Sequence, residues 1–552
     1  MIVRSQLPEP PVKKRPHYGR RALLKLVGLG VLLEGLHLAL YPQLAGAALK
    51  NTVVTQAVVG LCPWLPRLYW TTAFPGVAQR LAQLSWLTPA NLLLLLLGLA
   101  FVLSLIAVRV GANVVQKRLS RIEVRTIFCA IIILTGIFAL TYLYAPGAMS
   151  QDMFLYGLYG RMVAVHHVNP YVVTPATFPH DMLQVVVLKG TRGTAPYGPV
   201  WIDLSIPVAL MAGESVANIL IGFRLIGLVL HLVNAILIWV ILAKLKPEAR
   251  ISATLLYAWN PVVLLLGVGE MHLDVVVVLF LLLAVLFFQR KSLTLGWVFV
   301  LLATLINVLC LVVLPLFFCL LRREGRVLRP GARFLWWLGI IAVSVLVVVL
   351  AYAPYWPGWG LAGIAASVRD ALLQSSAINS LDAALLNLPI KPPPALSWLT
   401  APHHWMILAI VIVGILVLLG VWLVDSLELV VLFSSWLFLA LLVLLPTYWP
   451  WFAILPLALA ACAGSRRTTL LAILLTIGAA LSYYGWLWRP VWMGQGLITV
   501  GLPLLIWGWT LFFTSTWHMT HPEDSQPRIK STKGSSRPSW ASLPSWPPRR
   551  RK

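Results

Sequence analysis

Long apolar runs and short polar stretches alternate along most of the chain. A run such as Asn91–Val110 has enough residues, at about 1.5 Å of rise each, to cross the hydrocarbon core of a bilayer. Apolar spans recur at residues 22–46, 92–110, 126–145, 217–243, 252–269, 273–289, 293–320, 334–355, 405–424, 428–446, 450–464, 468–487 and 495–514. The pattern predicts an all-α, polytopic membrane protein.

Two apolar runs do not fit a single crossing. Residues 200–213 are too few to span the bilayer comfortably, so we expect a re-entrant or interfacial helix there. Leu293–Leu321 must cross twice if Lys291 and Arg322 are to lie on the same side. We therefore expect a tight pair of short helices that meet near Asn307. The total is then about 13 to 14 membrane helices.

Composition and charge agree with this pattern. Apolar side chains make up 60% of the 552 residues and charged ones 11%, and the mean hydropathy is +0.88, which excludes a soluble, disordered or fibrous protein. The formal net charge is +25, and much of the excess lies in basic tails at residues 1–21 and 515–552. Neither tail interleaves aromatic and basic residues, so we expect the lipid bilayer as the partner and no nucleic acid. The five cysteines form no CxxC pair, which indicates neither a disulfide framework nor a zinc site.

Basic residues also predict the arrangement in the membrane. The positive-inside rule places both tails in the cytoplasm, and the transmembrane domain at residues 22–514 becomes a multi-pass unit of the cell membrane. Long extracytoplasmic loops follow at residues 146–199 and 356–404. Transporters usually have short loops and keep ionisable groups within their spans, whereas enzymes acting on lipid-linked substrates use surface loops. The loop lengths favour an enzyme with an extracytoplasmic active site, its catalytic loop at residues 146–199.

The first candidate cluster follows the third span directly, at residues 150–161. Asp152 and Arg161 stand there among aromatic side chains that include Tyr156. We expect Asp152 to be a carboxylate at the membrane surface and Arg161 to bind a lipid-linked phosphate in a bidentate manner. The alternative is an aromatic belt with charged side chains that reach to the interface.

The same loop has two rigid corners that contain proline, where we expect substrate contacts from Asn169, Tyr171 and Tyr197. Two adjacent histidines, His166 and His167, invite a metal site. Side chains of adjacent residues in an extended loop point apart, so simple loop polarity is the favoured interpretation.

Polar residues also interrupt or end two later spans. Asn260 lies within one span, and Glu270, His272 and Asp274 stand at its outer end, where they would share a face with Asp152. We expect these four residues to bind the substrate. A solvated short loop is the alternative for the last three. A later outer loop contains Tyr448 and Trp449, which belong either to an aromatic belt or to a surface that stacks on a sugar.

Taken in series, these motifs resemble those of a known enzyme family. The series consists of Ser-x-Asp-x-Phe-x-Tyr with Tyr-Gly-Arg at 150–161, Asn-Pro-Tyr at 169–171, Tyr-Gly-Pro-x-Trp at 197–201, Asn-Pro at 260–261 and His-x-Asp at 272–274. It resembles the C-type integral-membrane glycosyltransferases, GT-C, and most of all those that are polyprenol-phosphate-mannose-dependent α-(1,6)-mannosyltransferases.

The resemblance implies transfer of a sugar, for which we expect mannose, from a polyprenyl-phosphate donor to a glycolipid or glycan acceptor. It implies that Asp152 is the catalytic base, and that a cation steadies the donor phosphate, with Arg161 the first candidate, Arg224 the second and Tyr156 nearby. It indicates no cofactor and leaves a divalent cation open. A transporter or flippase of lipid-linked sugars is the alternative from another class.

Overall fold

The computed structural model describes residues 18–47, 52–114, 119–187, 193–373, 402–445, 449–488 and 495–520. All regular elements within these ranges are helical, which confirms the predicted all-α class. The helices are α1 Tyr18–Ala39, α2 Tyr41–Ala47, α3 Thr52–Leu61, α4 Trp70–Ala73, α5 Pro75–Ala82, α6 Pro89–Ala112, α7 Arg121–Leu143, α8 Asp152–Ala164, α9 Pro199–Ala212, α10 Val216–Leu245, α11 Arg250–Ala258, α12 Pro261–Leu264, α13 Asp274–Gln289, α14 Leu293–Thr304, α15 Leu314–Gly325, α16 Pro330–Tyr352, α17 Gly360–Leu373, α18 Pro402–Leu423, α19 Leu427–Leu444, α20 Ile454–Ala463, α21 Arg466–Trp488 and α22 Leu502–Thr520.

The described helices are those of a polytopic membrane protein. Six are long and apolar enough to cross a bilayer, and a seventh candidate is a pair of helices bent by 50°. The six long helices are Gly19–Ala45, Pro89–Ala112, Arg121–Leu143, Val216–Leu245, Pro330–Tyr355 and Leu427–Leu444. Six shorter apolar helices of 10–17 residues accompany them, so the total of about 13 to 14 stays a prediction.

Local chemistry explains where these helices begin and where they bend. Ser120 and Glu123 form a capping box at the start of α7, in which each side chain accepts the other residue's backbone N–H. Asn260 accepts the N–H groups of Val262 and Val263, so a new helix begins where α11 ends. The bend lies at this Asn-Pro step because Pro261 has no N–H with which to continue α11. Asn260 therefore has a structural role at the bend.

The predicted pair of short helices around Asn307 is present. Helix α14 ends at Thr304, and Asn307 caps the 3₁₀ turn that leads into α15 by accepting the N–H of Leu309. The other ends of the two helices come together, because Lys291 before α14 forms a 2.6 Å ion pair with Glu324 in the last turn of α15. The chain therefore runs across and returns, and Lys291 and Glu324 lie at the same end of the pair.

Helix α9 is the short run that we expected to be re-entrant or interfacial, and it packs against α8. Gly160 makes this packing close, since a β-carbon there would approach the Ser205 carbonyl oxygen to 2.7 Å. Gly198 before α9 donates its N–H to the Ile306 carbonyl at 3.0 Å. The turn of the α14–α15 pair is thus attached to the loop that follows α8. The described residues from Ile506 to Thr520, within α22, belong to a second compact unit.

Candidate active site

A fully buried arginine holds the loop that leads from α7 to α8. Arg224 on α10 donates to the carbonyls of Ala145 at 2.6 Å and Gly147 at 2.5 Å, and to that of Gly269 at 2.7 Å. Its guanidinium also lies 3.4 Å from the Leu143 carbonyl. The arginine therefore joins the end of α7 to the segment before α13, because one planar group satisfies several buried carbonyls at once.

Glu270 completes this support from the other side. Its carboxylate, which is 1% exposed, accepts the N–H of Met149 at 2.9 and 3.0 Å and that of Ser150 at 2.9 Å. Ser150 Oγ in turn accepts the N–H of Asp152 at 3.2 Å. A buried carboxylate with several N–H donors is well satisfied, and it fixes the backbone just before α8.

Asp152 is the first residue of α8, and its side chain is 23% exposed. Oδ2 of Asp152 lies 3.4 Å from Nδ1 of His272, so the two residues meet as their positions in the sequence predicted. Among the described residues, His272 is the one basic side chain within ion-pair distance of this carboxylate. Asp152 is thus accessible while its surroundings are rigid.

The imidazole of His272 is completely buried and is held by stacking. It lies parallel to the ring of Trp451, with centroids 3.7 Å apart, and Trp451 stacks on Trp449 with centroids 5.0 Å apart. The late aromatic loop therefore reaches the same site as Asp152. Trp449 is the predicted residue from this loop, whereas Tyr448 lies outside the described residues. Trp451 is not among the site residues predicted from the sequence. Its position two residues after Trp449, in the same predicted outer loop, could have indicated it.

A second carboxylate, more buried than that of Asp152, lies at the same site. Asp274 is the first residue of α13, is 3% exposed, and is close enough to Asp152 to interact with it electrostatically. It lines a small cavity together with Asn307 and Phe452. The turn of the α14–α15 pair and the segment after Trp451 therefore both border this carboxylate.

A cluster of largely buried aromatic rings packs around Tyr156, one helical turn after Asp152. Tyr156 is 1% exposed and makes edge contacts with Tyr197 at 5.0 Å and Trp201 at 4.9 Å between ring centroids. A third edge contact joins Tyr156 to Phe223 at 5.9 Å. Such pairs stabilise a fixed packing of the rings. Tyr156 and Tyr197 thus support the site from beneath.

The opposite end of α8 holds a separate cluster of charged residues. Arg161 donates to Asp181 from Nε at 2.9 Å, to the Gly213 carbonyl from Nη1 at 2.8 Å and to Glu214 from Nη2 at 2.8 Å. His166 adds a 2.9 Å contact to the same Asp181 oxygen. Arg161 follows Asp152 by nine residues, which is about 13 Å along a helix. The structure therefore does not bring Arg161 to Asp152.

Asp181 is buried at the centre of this cluster. Burial pushes its pKa upward, but the hydrogen bonds from the Leu183 N–H, His166 and Arg161 outweigh that effect, so the pKa of Asp181 lies below its ordinary value. The carboxylate stays ionised near neutral pH, and the cluster fastens the loop around Asp181 to the end of α8.

Asn169 and Tyr171 connect this loop to the segment after α16. Asn169 donates to the carbonyls of Tyr355 at 2.7 Å and Pro357 at 3.2 Å. Tyr171 stacks on Trp359 with centroids 4.1 Å apart and donates to the Tyr197 carbonyl at 2.6 Å. Both residues therefore hold loops together, and their contacts with a substrate stay a prediction.

Histidines, cysteines and carboxylates do not gather as a metal site in the part of the chain that the structure describes. No group of three or more such side chains there could hold an ion. His166 lies 2.9 Å from Asp181, and His167 adopts a left-handed conformation with φ of 53°.

The polytopic helical fold and the carboxylate at its centre can be compared with known proteins, and two comparisons relate this chain to glycosyltransferases. The family profile described as "Alpha-(1->6)-mannopyranosyltransferase, N-terminal domain" matches residues 44–323, just over half of the chain. The matched range contains the residues around the candidate site, namely Asp152, Arg224, Glu270, His272 and Asp274. The chain therefore belongs to this family, which confirms the resemblance seen in the sequence.

One curated relative is alpha-(1->6)-mannopyranosyltransferase A of Mycobacterium tuberculosis (strain ATCC 25618 / H37Rv). It is 26% identical over 350 residues, and the match covers 61% of this chain. The chain spans 66% of the length of that relative, just under two thirds. No solved structure matches the chain.

Proposed function

We propose that this protein transfers a mannosyl group from a polyprenyl-phosphate donor to a hydroxyl of a glycolipid or glycan acceptor. The family membership supports mannose transfer. The observation that carries the proposal is the geometry of Asp152, an accessible carboxylate at the start of α8, beside a stacked histidine and next to the aromatic cluster around Tyr156. The positive-inside pattern of the sequence supports an extracytoplasmic site in the cell membrane.

Asp152 acts as the general base in this reaction. Its carboxylate takes the proton from the acceptor hydroxyl while the hydroxyl oxygen forms a bond to the anomeric carbon. The bond between that carbon and the phosphate oxygen breaks, and its electron pair leaves with the polyprenyl phosphate. Attack from the side opposite the phosphate inverts the anomeric centre.

The surrounding residues position this base. Glu270 and Arg224 hold the backbone before α8, and the ring of His272 lies against the Asp152 carboxylate. Because Trp451 fixes that ring by stacking, the carboxylate has little freedom to turn away from the acceptor. We propose that Trp449, which stacks on Trp451, contributes to the contact with a sugar ring.

The donor phosphate requires a partner other than Arg161. All three nitrogens of Arg161 have acceptors already, and Arg224 is buried with most of its donors on carbonyls. The N-terminal ends of α8 and α13 both lie at the site, since Asp152 and Asp274 are the first residues of these helices. Their dipoles favour a negatively charged group nearby, and we propose that they help to hold the phosphate.

A transfer assay tests the proposal. Membranes that contain the full chain are given labelled polyprenyl-phosphate-mannose and a mixture of glycolipid acceptors. Label that enters an acceptor only when the protein is present supports the proposal. Movement of the labelled lipid across the bilayer without transfer would instead indicate a flippase and contradict it. Repeating the assay with a chelator decides whether a divalent cation takes part.

A further inference from the structure

A large apolar groove lies between α14, α15 and α16, away from Asp152. Its walls include Trp297 of α14, Phe318 of α15 and Trp337, Ile341 and Val345 of α16. The three aromatic rings follow one another, with centroids 6.2 Å apart between Trp297 and Phe318 and 5.5 Å apart between Phe318 and Trp337. The lining is almost wholly apolar, and Phe318, Ile341 and Val345 are exposed along it.

The inner wall of the groove is tied together by a hydrogen bond. Trp297 donates from Nε1 to Ser344 Oγ at 2.9 Å, and Ser344 donates in turn to the Ile340 carbonyl at 2.7 Å. This bond joins α14 to α16, which otherwise exposes much of its apolar surface. An open apolar groove next to such a helix needs an occupant, because unfilled space forfeits the dispersion contacts of its walls.

One end of the groove carries a free positive charge. Arg322 lines the groove one helical turn beyond Phe318, is exposed, and has no side-chain hydrogen bond or ion pair within the described residues. The residues 314–333 contain five arginines and one acid, Glu324. That acid is engaged by Lys291 at 2.6 Å, so it does not neutralise Arg322. The charged end therefore suits an anionic group.

The charged end lies far from the catalytic residues. Arg322 is at the end of the α14–α15 pair where Lys291 meets Glu324, whereas the other end of the pair binds Gly198 through the Ile306 carbonyl. From Trp337 to Val345 the groove follows α16 for about 12 Å, close to the depth of one leaflet's hydrocarbon. Arg322 therefore lies at the end of the α14–α15 pair opposite to the turn that borders Asp274.

We propose that this groove binds an anionic phospholipid of the leaflet next to Arg322. An acyl chain fills the aromatic groove, and the lipid phosphate accepts hydrogen bonds from the Arg322 guanidinium. The lipid fills the space between α16 and the α14–α15 pair.

Native mass spectrometry of the purified full chain tests this. The protein is placed in nanodiscs with equal amounts of phosphatidylglycerol and phosphatidylcholine, and the retained lipid is identified. The native protein keeps one phosphatidylglycerol, and Arg322→Gln binds it about tenfold more weakly, because one charged hydrogen-bond partner is lost. Arg323→Gln, which removes the same charge from the neighbouring residue outside the lining, binds as the native protein does.

A second pair of variants tests the apolar part. Ile341→Trp fills the groove and displaces the lipid, whereas Leu346→Trp, on the face of α16 away from the lining, leaves binding unchanged. Equal retention of the two phospholipids, or equal losses in the Arg322 and Arg323 variants, would overturn the proposal. Preferential retention of added polyprenyl phosphate at this groove would overturn it as well.

Discussion

The two ends of α8 have different chemistry, although one short motif encodes both. At the N-terminal end, Asp152 is partly exposed and lies 3.4 Å from its nearest basic group. At the C-terminal end, Arg161 is 3% exposed and meets two carboxylates and a carbonyl at 2.8 to 2.9 Å. The first end keeps a charged group available for a substrate, whereas the second has used its charges to fasten the fold.

Under the proposed function, this difference separates the catalytic charge from the structural charges better than residue type does. Both ends combine carboxylates with basic and aromatic side chains, so composition alone does not distinguish them. The two ends differ in solvent exposure and in how many hydrogen-bond partners their charged groups already have. A reacting group must be accessible and able to exchange partners. Each prediction below changes one end and measures an effect that the other end is not expected to show.

The largest expected effect is on turnover at the N-terminal end. Asp152→Asn removes the base and keeps the size of the side chain, so the transfer rate should fall by about 10² to 10⁴. The melting temperature in detergent should hardly change, because among the described residues the side chain has one ion-pair contact, at 3.4 Å to His272. Initial rates with labelled donor measure the loss. A variant that keeps native turnover would remove Asp152 from the mechanism.

At the other end the effect should be on stability. Arg161→Gln leaves the buried Asp181 carboxylate without its main partner, which should destabilise the fold by about 3 to 5 kcal/mol. The pair with Glu214, whose side chain is 72% exposed, adds little. Denaturant unfolding in detergent measures the loss, and Glu214→Gln is the matched control. Native stability in the Arg161 variant would show that the cluster does not fasten the loop.

A smaller effect on turnover is expected from His272→Gln. The substitution removes the ring that stacks on Trp451, so the Asp152 carboxylate gains freedom, and we expect kcat to fall about tenfold, which equals about 1.4 kcal/mol. The KM for the donor should stay the same if the histidine only positions the base. A raised KM with unchanged kcat would instead place His272 in substrate binding.

The smallest effect concerns acid stability. Because the pKa of Asp181 is lowered in the folded protein, its ion pairs stabilise the fold above its ordinary pKa of about 3.9, and this contribution is lost as the pH falls toward the lowered value. The melting temperature should decline below about pH 4, and Asp181→Asn should reduce the decline. An equally steep decline in that variant would assign the acid sensitivity to other groups.

Much of the fold could be predicted from the sequence, since apolar run length and basic residues are local signals. The pair of helices at Asn307 is an example, because Lys291 and Arg322 forced the chain to return. The meeting of Asp152 with His272 was predictable for a similar reason. Asp152 directly follows one predicted span and His272 stands at the end of another, and the topology placed both ends at the same face of the membrane.

The roles of the arginines could not be predicted in this way. Arg161 appeared to belong with Asp152 because only nine residues separate them, yet a helix sets these residues about 13 Å apart. Its partner Asp181 lies 20 residues further on, within an irregular loop. Arg224 binds backbone carbonyls, which have no signature in the amino-acid sequence. Tertiary partners of this kind become visible only in the folded chain.

The most direct test of the central claim measures the transfer rate per folded molecule for Asp152→Asn and Arg161→Gln in parallel. Each variant is purified in the same detergent, and its folded fraction is taken from its unfolding curve. We predict a folded but inactive Asp152 variant and an unstable Arg161 variant that transfers mannose at close to the native rate per folded molecule. The opposite pattern, activity without Asp152 or a folded Arg161 variant without activity, would contradict the division of α8 into a catalytic end and a structural end.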